Sequence, residues 1–176
     1  PGAPIIYYGD EIGMGDNIWL PDRNGVRTPM QWDNSLNAGF SKADPASLYA
    51  PVIDEGDYAH QKVNVANADQ DPQSLLNKMR ALINLRKSEP TFALGEVEFL
   101  AKDQTQCLVL MRYHKDEKIL CIHNLSNDTQ KINIDLKKYK GQKLFDLVNQ
   151  QAFAVIVSPN LCIDIEPYGF LWLKLI

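Results

Sequence analysis

Pro4-Ile5-Ile6-Tyr7-Tyr8 is an apolar run of β-branched and aromatic residues with no polar alternation. A run of this kind reads as a strand buried on both faces, as in a parallel sheet, and such a strand needs neighbours on each side. It leads straight into Gly9-Asp10-Glu11-Ile12-Gly13-Met14, where glycines permit sharp turns. A second dense stretch follows, Gly25-Val26-Arg27-Thr28-Pro29-Met30-Gln31-Trp32-Asp33. An apolar strand ending in loops rich in carboxylate, arginine, amide and indole is how many enzymes present a site.

The next clear element lies some sixty residues on. Asp71 suits a helix N-cap and Pro72 the first helical position. Leu75, Leu76, Met79, Leu82, Ile83 and Leu85 then recur at helical spacing, and Ser88-Glu89-Pro90 ends the run. Between strand and helix the chain is rich in Asp, Asn, Gly and Pro, which favours turns. A connection this long in a compact protein is functional or disordered. Trp19, Trp32, Phe40, Tyr49 and Tyr58 argue for order, as apolar anchors that can pack.

Beyond Gly95 the period changes from helical to alternating. Runs at 96–100, 107–113, 118–124, 131–136, 143–147, 152–157 and 169–175 read as short strands of an antiparallel sandwich or Greek-key sheet. The reading is therefore an α+β chain in two parts. Residues 1–92 form a β-loop-α unit and residues 93–176 an antiparallel β domain.

Bulk properties exclude several classes. With 45% hydrophobic and 23% charged residues the 176-residue chain has a globular composition. A net charge of −4 offers no basic stripe for nucleic acid, and Lys137, Lys138 and Lys140 read as a solvated turn. No apolar run approaches the roughly 20 residues of a membrane span. Cys107, Cys121 and Cys162 lie among alternating apolar residues and read as buried free thiols, which points to a reducing, cytoplasmic setting. His60, His114 and His123 lack metal-ligand spacing. Asp16, Asn17, Asp22 and Asn24 could offer oxygen ligands, but Asx turns account for them more simply. No cofactor motif is present. The chain opens on Pro1 directly before a strand, which reads as part of something longer.

Asp10 and Glu11 could be a catalytic pair, or could bind backbone N–H groups at the strand end. Neighbours on an extended chain point to opposite sides, so at most one faces a given pocket. Arg27 offers a planar fork of donors suited to sugar hydroxyls or a carboxylate, with Gln31 and Trp32 adding an amide and a stacking face. Trp172 and Phe170 alternate with Leu171 and Leu173, so at least one of the rings faces a core.

Pro1-Gly2-Ala3-Pro4-Ile5-Ile6-Tyr7-Tyr8-Gly9-Asp10-Glu11-Ile12-Gly13-Met14 resembles the last barrel strand of the α-amylase superfamily, glycoside hydrolase family 13. Arg27-Thr28-Pro29-Met30-Gln31-Trp32-Asp33, then Asn37-Ala38-Gly39-Phe40, resembles the loop after it in α-glucosidase-like members. Asp22-Arg23-Asn24-Gly25-Val26-Arg27 and Asp71-Pro72-Gln73-Ser74-Leu75-Leu76 are similar to the trehalose synthase group, which acts on maltose and trehalose. The resemblance implies the end of a TIM barrel followed by a C-terminal β domain. It implies Arg27 at the floor of a glucose pocket; Gln31, the amide on the same loop, is expected as a second substrate-binding residue. The family's reactive carboxylates come from earlier barrel strands, so no catalytic residue carries over onto this chain. A missing N-terminal barrel is implied as its partner, and a second copy could also cover the apolar faces of the strand and helix.

Overall fold

The computed structural model describes residues 2–176; Pro1, which opens both the N-terminal motif and the expected 1–92 unit, lies outside the described residues. The chain divides into two compact units, one of Pro4–Ile83 and one built mainly from Asn84–Ile176.

The first unit holds short 3-10 turns at Asp10–Ile12, Asp22–Arg27, Leu36–Gly39 and Pro45–Ser47. They are followed by helix α1, Val65–Gln70, and the first turns of helix α2, Leu75–Ser88. Residues 4–8, expected as a strand, carry no ladder, and Ile5 is 94% exposed. The physical reason is that among the described residues this unit contains no strand to pair with, and an extended run gains little without one. Ile12, Met30 and Leu76 form its small core, with Met14, Val63, Val65 and Ala68 against it. The expected aromatic anchors are not buried here. Trp19, Trp32, Phe40, Tyr49 and Tyr58 all stand exposed at the surface. The N-cap of α2 also moves from its expected place. Asp71 caps a preceding turn by accepting Gln73 N–H, and Ser74 Oγ accepts Asn77 N–H instead. The stop at Ser88 stands as expected. Helix α1 was not legible as a helix; its start is fixed by Asn64 Oδ1, which accepts Asn67 N–H at 2.7 Å.

The second unit continues through the short helix α3, Thr91–Leu94, into eight strands. These are β1 Glu96–Leu100, β2 Cys107–His114, β3 Glu117–Asn124, β4 Gln130–Asp135, β5 Lys143–Asp146, β6 Gln151–Val155, β7 Asn160–Ile165 and β8 Phe170–Leu175. Seven of them fall where alternation predicts; β7 does not, because Pro159-Asn160 reads as a turn. A six-stranded antiparallel sheet runs β1-β2-β3-β8-β5-β6, and β4 pairs with β7 in a second layer. The chain leaves β3 for β4 in the other layer and returns from β7 to β8, which pairs with β3, a connection of the Greek-key kind.

Val109 and Met111 of β2, Leu120 and Ile122 of β3, and Leu173 of β8 face Ile132, Ile134 and Ile165 across the layers. On the outer face Phe92, Ile119, Cys121 and Leu147 form a second cluster, with Trp172 packed on Phe92 at 4.6 Å between ring centres. Only one of the three cysteines is fully buried, Cys121, where burial pushes the thiol up to about 12. Cys107 is half-buried, and Cys162 is exposed because it shares the outward face of β7 with Asn160 and Asp164.

Two polar knots tie the unit. Asn124, 2% exposed, donates to the carbonyls of Asp128, Ile165 and Glu166 and accepts Ser126 N–H and Oγ–H, joining the β3–β4 turn to the end of β7. Lys174 Nζ donates to Glu89 at 2.8 Å and to Glu117 at 2.9 Å, and Thr91 Oγ1 donates to the other oxygen of Glu117. The hydrogen bond from Lys174, then that from Thr91, holds the Glu117 carboxyl below its ordinary range.

Replacing Leu120, fully buried between the layers, by alanine is expected to cost about 2–5 kcal/mol of stability in denaturant unfolding. Glu117 has a depressed pKa when folded, so its contribution is present above the unfolded carboxylate value and lost as pH falls through the folded one. A Glu117→Gln variant should accordingly show a shallower loss of melting temperature on acidification than the parent protein, read by circular dichroism.

Candidate substrate cleft

The two motif stretches come together in the first unit. Gly9, at φ 94°, lets the chain reverse into the Asp10–Ile12 turn, and a Cβ there would meet Met14 Cβ at 2.9 Å. Both acids of the turn serve the backbone. Asp10 Oδ2 accepts Tyr7 N–H at 2.9 Å, and Glu11 Oε2 accepts Gly9 N–H at 2.8 Å. Tyr8 then reaches across to donate its phenol to the Thr28 carbonyl at 2.9 Å. Burial, with Tyr7 adding to it and the Arg27 charge opposing it, raises the Tyr8 pKa.

Arg27 ends the Asp22–Arg27 turn and is exposed, and its guanidinium makes no hydrogen bond or ion pair among the described residues. The chain then dives inward: Thr28 is 1% exposed, Met30 7% and Gln31 0%. Gln31 Nε2 donates to the Tyr58 carbonyl at 3.2 Å and, more closely, to the Val63 carbonyl. The main chain is held as well, since Gln31 O accepts Val65 N–H and Trp32 O accepts Ala66 N–H from the first turn of α1. Asn64 Nδ2 donates to His60 O, and His60 N–H to Ile53 O, so the pin extends back along 53–64. Gln31 therefore does not line the cleft; it fixes the backbone on which the cleft is built. Its partners lie 27 and 32 residues away, which no local pattern signals.

Beyond Trp32, the residues Asn37, Ala38 and Gly39 sit at φ 54°, 57° and 69°, three left-handed residues in succession. Asn37 Nδ2 meets Ser41 O and Ala43 O, while Ala38 O accepts both Trp32 N–H and Asp33 N–H. A Cβ on Gly39 would sit 2.7 Å from the Asp33 carboxylate. The left-handed Ala38 costs about 1–2 kcal/mol relative to ordinary backbone. These contacts offset that cost and turn Phe40 toward the arginine.

The result is a cleft of about 460 Å³ with Arg27, Thr28 and Glu11 as its polar groups and Tyr8, Trp32, Phe40 and Tyr49 as aromatic walls. Apolar rings with a few placed polar groups suit the alternating C–H faces and hydroxyls of a sugar. Of these residues the sequence singled out Arg27 and Trp32 for binding, the acids as a candidate pair, and Phe40 and Tyr49 as aromatic anchors. Asn17 Oδ1 accepts Trp19 N–H, as an Asx turn does, and among the described residues no group of three or more His, Cys, Asp or Glu gathers as a metal cage. Among the described residues no helix is long and apolar enough to cross a membrane.

Residues 1–95 match the family model described as "Alpha amylase, catalytic domain". The chain belongs to the α-amylase family. Its residues 97–172 match "Maltogenic Amylase, C-terminal domain". Among characterised members it is 41% identical to trehalose synthase of Pimelobacter sp. (strain R48), covering 99% of this chain and 31% of that protein. It is 40% identical to trehalose synthase of Thermus thermophilus over 96% of this chain and 18% of that protein. The chain thus spans about a third or less of the length of these α-amylase family relatives. Trehalulose synthase from Pseudomonas mesoacidophila MX-45 shares the fold, with a TM-score of 0.77 over 99% of this chain and 36% of that one, at 21% identity.

Gln31→Met should leave the Tyr58 and Val63 carbonyls unpaired and lower stability by about 2–4 kcal/mol. Thermal unfolding measures it, and near-ultraviolet circular dichroism should report loosening of Trp32.

Proposed function

We propose that this chain is the C-terminal portion of a cytoplasmic trehalose synthase, an enzyme interconverting maltose and trehalose by moving one glucosyl unit within the molecule. The observation that carries the reading is the pattern of likeness. Trehalose synthases match at 37–41% identity over 96–99% of the chain. A probable α-glucosidase and two oligo-1,6-glucosidases match at 29–32% over 72–78%. The cleft supports it: Arg27 is free to bind sugar oxygens, and the aromatic side chains beside it offer faces for a glucose that must turn before it is attacked again.

In this reading the chemistry is a retaining double displacement through a glucosyl intermediate, with the reactive carboxylates supplied by preceding barrel strands. Glu11 and Asp10 are spent on backbone N–H groups, which fits a binding rather than a reactive role for this chain. Arg27 touches the substrate, and Gln31 contributes to binding by holding the segment that carries it. The functional division falls at 1–92, the barrel part, and 93–176, the β domain. The exposed faces of residues 4–8 and of Leu75 and Ile83 are covered by the rest of the barrel, or by a second copy.

The full-length protein incubated with maltose should accumulate trehalose, with free glucose as the minor product in chromatography. Glucose alone would instead make it a hydrolytic α-glucosidase. Arg27→Ala should lower kcat/KM for maltose by about 10²-fold, as expected for a lost charge-assisted hydrogen bond, and Arg27→Lys should restore it only partly. The isolated 176-residue chain should show no turnover.

A further inference from the structure

Tyr8 closes the apolar run before the Gly9 reversal, and it lines the cleft together with Arg27. Its place is fixed in three ways. The backbone N–H groups on either side of it, those of Tyr7 and Gly9, are accepted by Asp10 and Glu11. Its ring lies 4.7 Å from the ring of Tyr7, centre to centre. Its phenol donates to the Thr28 carbonyl at 2.9 Å, a bond that spans 20 residues of chain. Arg27 is held differently. Its guanidinium has no hydrogen bond or ion pair among the described residues, so its main chain decides where it stands. That main chain is anchored one residue on, where the Tyr8 phenol takes the Thr28 carbonyl and the ring of Pro29 restricts the backbone that follows. The two side chains are close enough to feel each other. The Arg27 charge opposes the rise in the Tyr8 pKa that burial, and then Tyr7, produce.

We propose that Tyr8 is a positioning residue for substrate binding: its phenol, acting through the Thr28 carbonyl, sets where the Arg27 guanidinium meets the sugar. The inference rests on reading the cleft as a glucosyl pocket and Arg27 as its sugar-binding group. The one hydrogen of the phenol is committed to the carbonyl, so its effect passes through the backbone and not through donation to a ligand. A guanidinium binds oxygens through a rigid fork, and a small displacement of its Cα spoils the alignment. A long side chain with no partner of its own also samples many rotamers, and an anchored backbone limits what must be ordered when the sugar arrives. Tyr8 further borders the groove formed with Ile6, Leu76, Met79 and Ile83, so the placement of the 4–8 stretch is carried by one ring into the cleft.

The test uses the full-length protein with maltose, in four forms: the parent, Tyr8→Phe, Arg27→Ala and the double variant. Tyr8→Phe keeps the ring and removes only the phenol oxygen. It should lower kcat/KM for maltose about fivefold, through KM, with kcat within about twofold of the parent. In the Arg27→Ala background the same change should lower kcat/KM by less than about twofold, because the group that it positions has gone. The melting temperature should fall equally in both backgrounds, so that the difference in kcat/KM reports positioning and not folding. Equal losses of kcat/KM in the two backgrounds would show that the phenol acts independently of Arg27 and overturn the inference. So would an unchanged kcat/KM on Tyr8→Phe. A parent protein that releases only glucose from maltose would sink the isomerase reading alone, and the same four forms would decide the role of Tyr8 on hydrolysis. A parent protein that does not act on maltose, or whose kcat/KM is untouched by Arg27→Ala, would sink the glucosyl-pocket reading and this inference with it.

Discussion

Both amide hydrogens of Gln31 are committed to carbonyls far along the chain, those of Tyr58 and Val63. The rest of the N-terminal unit depends on that commitment. Its one apolar cluster has three buried residues, Ile12, Met30 and Leu76, which cannot by itself hold some sixty irregular residues in place. Order comes instead from polar pins, each removing a backbone group from water and giving it one partner. The Gln31 side chain fixes 58–63, its own peptide caps α1, and Asn64 closes the circuit through His60. Hydrogen bonds contribute modestly on balance, but leaving a buried one unmade is expensive. A circuit in which nearly every member is paired is therefore rigid at the points that carry Thr28 and Trp32.

The β unit solves the same problem by the opposite means. Its two layers bury a dozen apolar side chains, and the sheet ladders pair most of the strand backbone. Polar knots appear where the chain changes layer, at Asn124, where α3 meets the β2–β3 hairpin, at Glu117, Lys174 and Arg112, and at the end of β5, where Asp146 accepts Val148 and Asn149 N–H.

That difference decides what could be read from the residues. Alternation is a local signal, so strands such as Glu96–Leu100 stand where the pattern puts them. Strand Asn160–Ile165 escaped because a Pro-Asn pair opens it, although Leu161, Ile163 and Ile165 alternate cleanly. The stop of α2 at Ser88 was legible, whereas its start was not, since Asp71 and Ser74 compete to cap successive turns. In the cleft, Arg27 was visible from residue type and setting. The work of Gln31 was not, because it is defined by carbonyls that carry no residue identity. The strand expected at 4–8 illustrates a further point. Apolar composition alone does not make a strand: without a pairing partner among the described residues the run stands exposed, as Ile5 does.

The left-handed turn at Asn37, Ala38 and Gly39 has a thermodynamic consequence for recognition. Its strain and its loss of freedom are met when the chain folds, not when a ligand arrives, so Phe40 is already in position when the cleft is empty. Association with such a surface forfeits little conformational entropy. A small, heavily hydrated ligand gains little from burial of apolar area, and a rim ordered in advance lets a few contacts suffice.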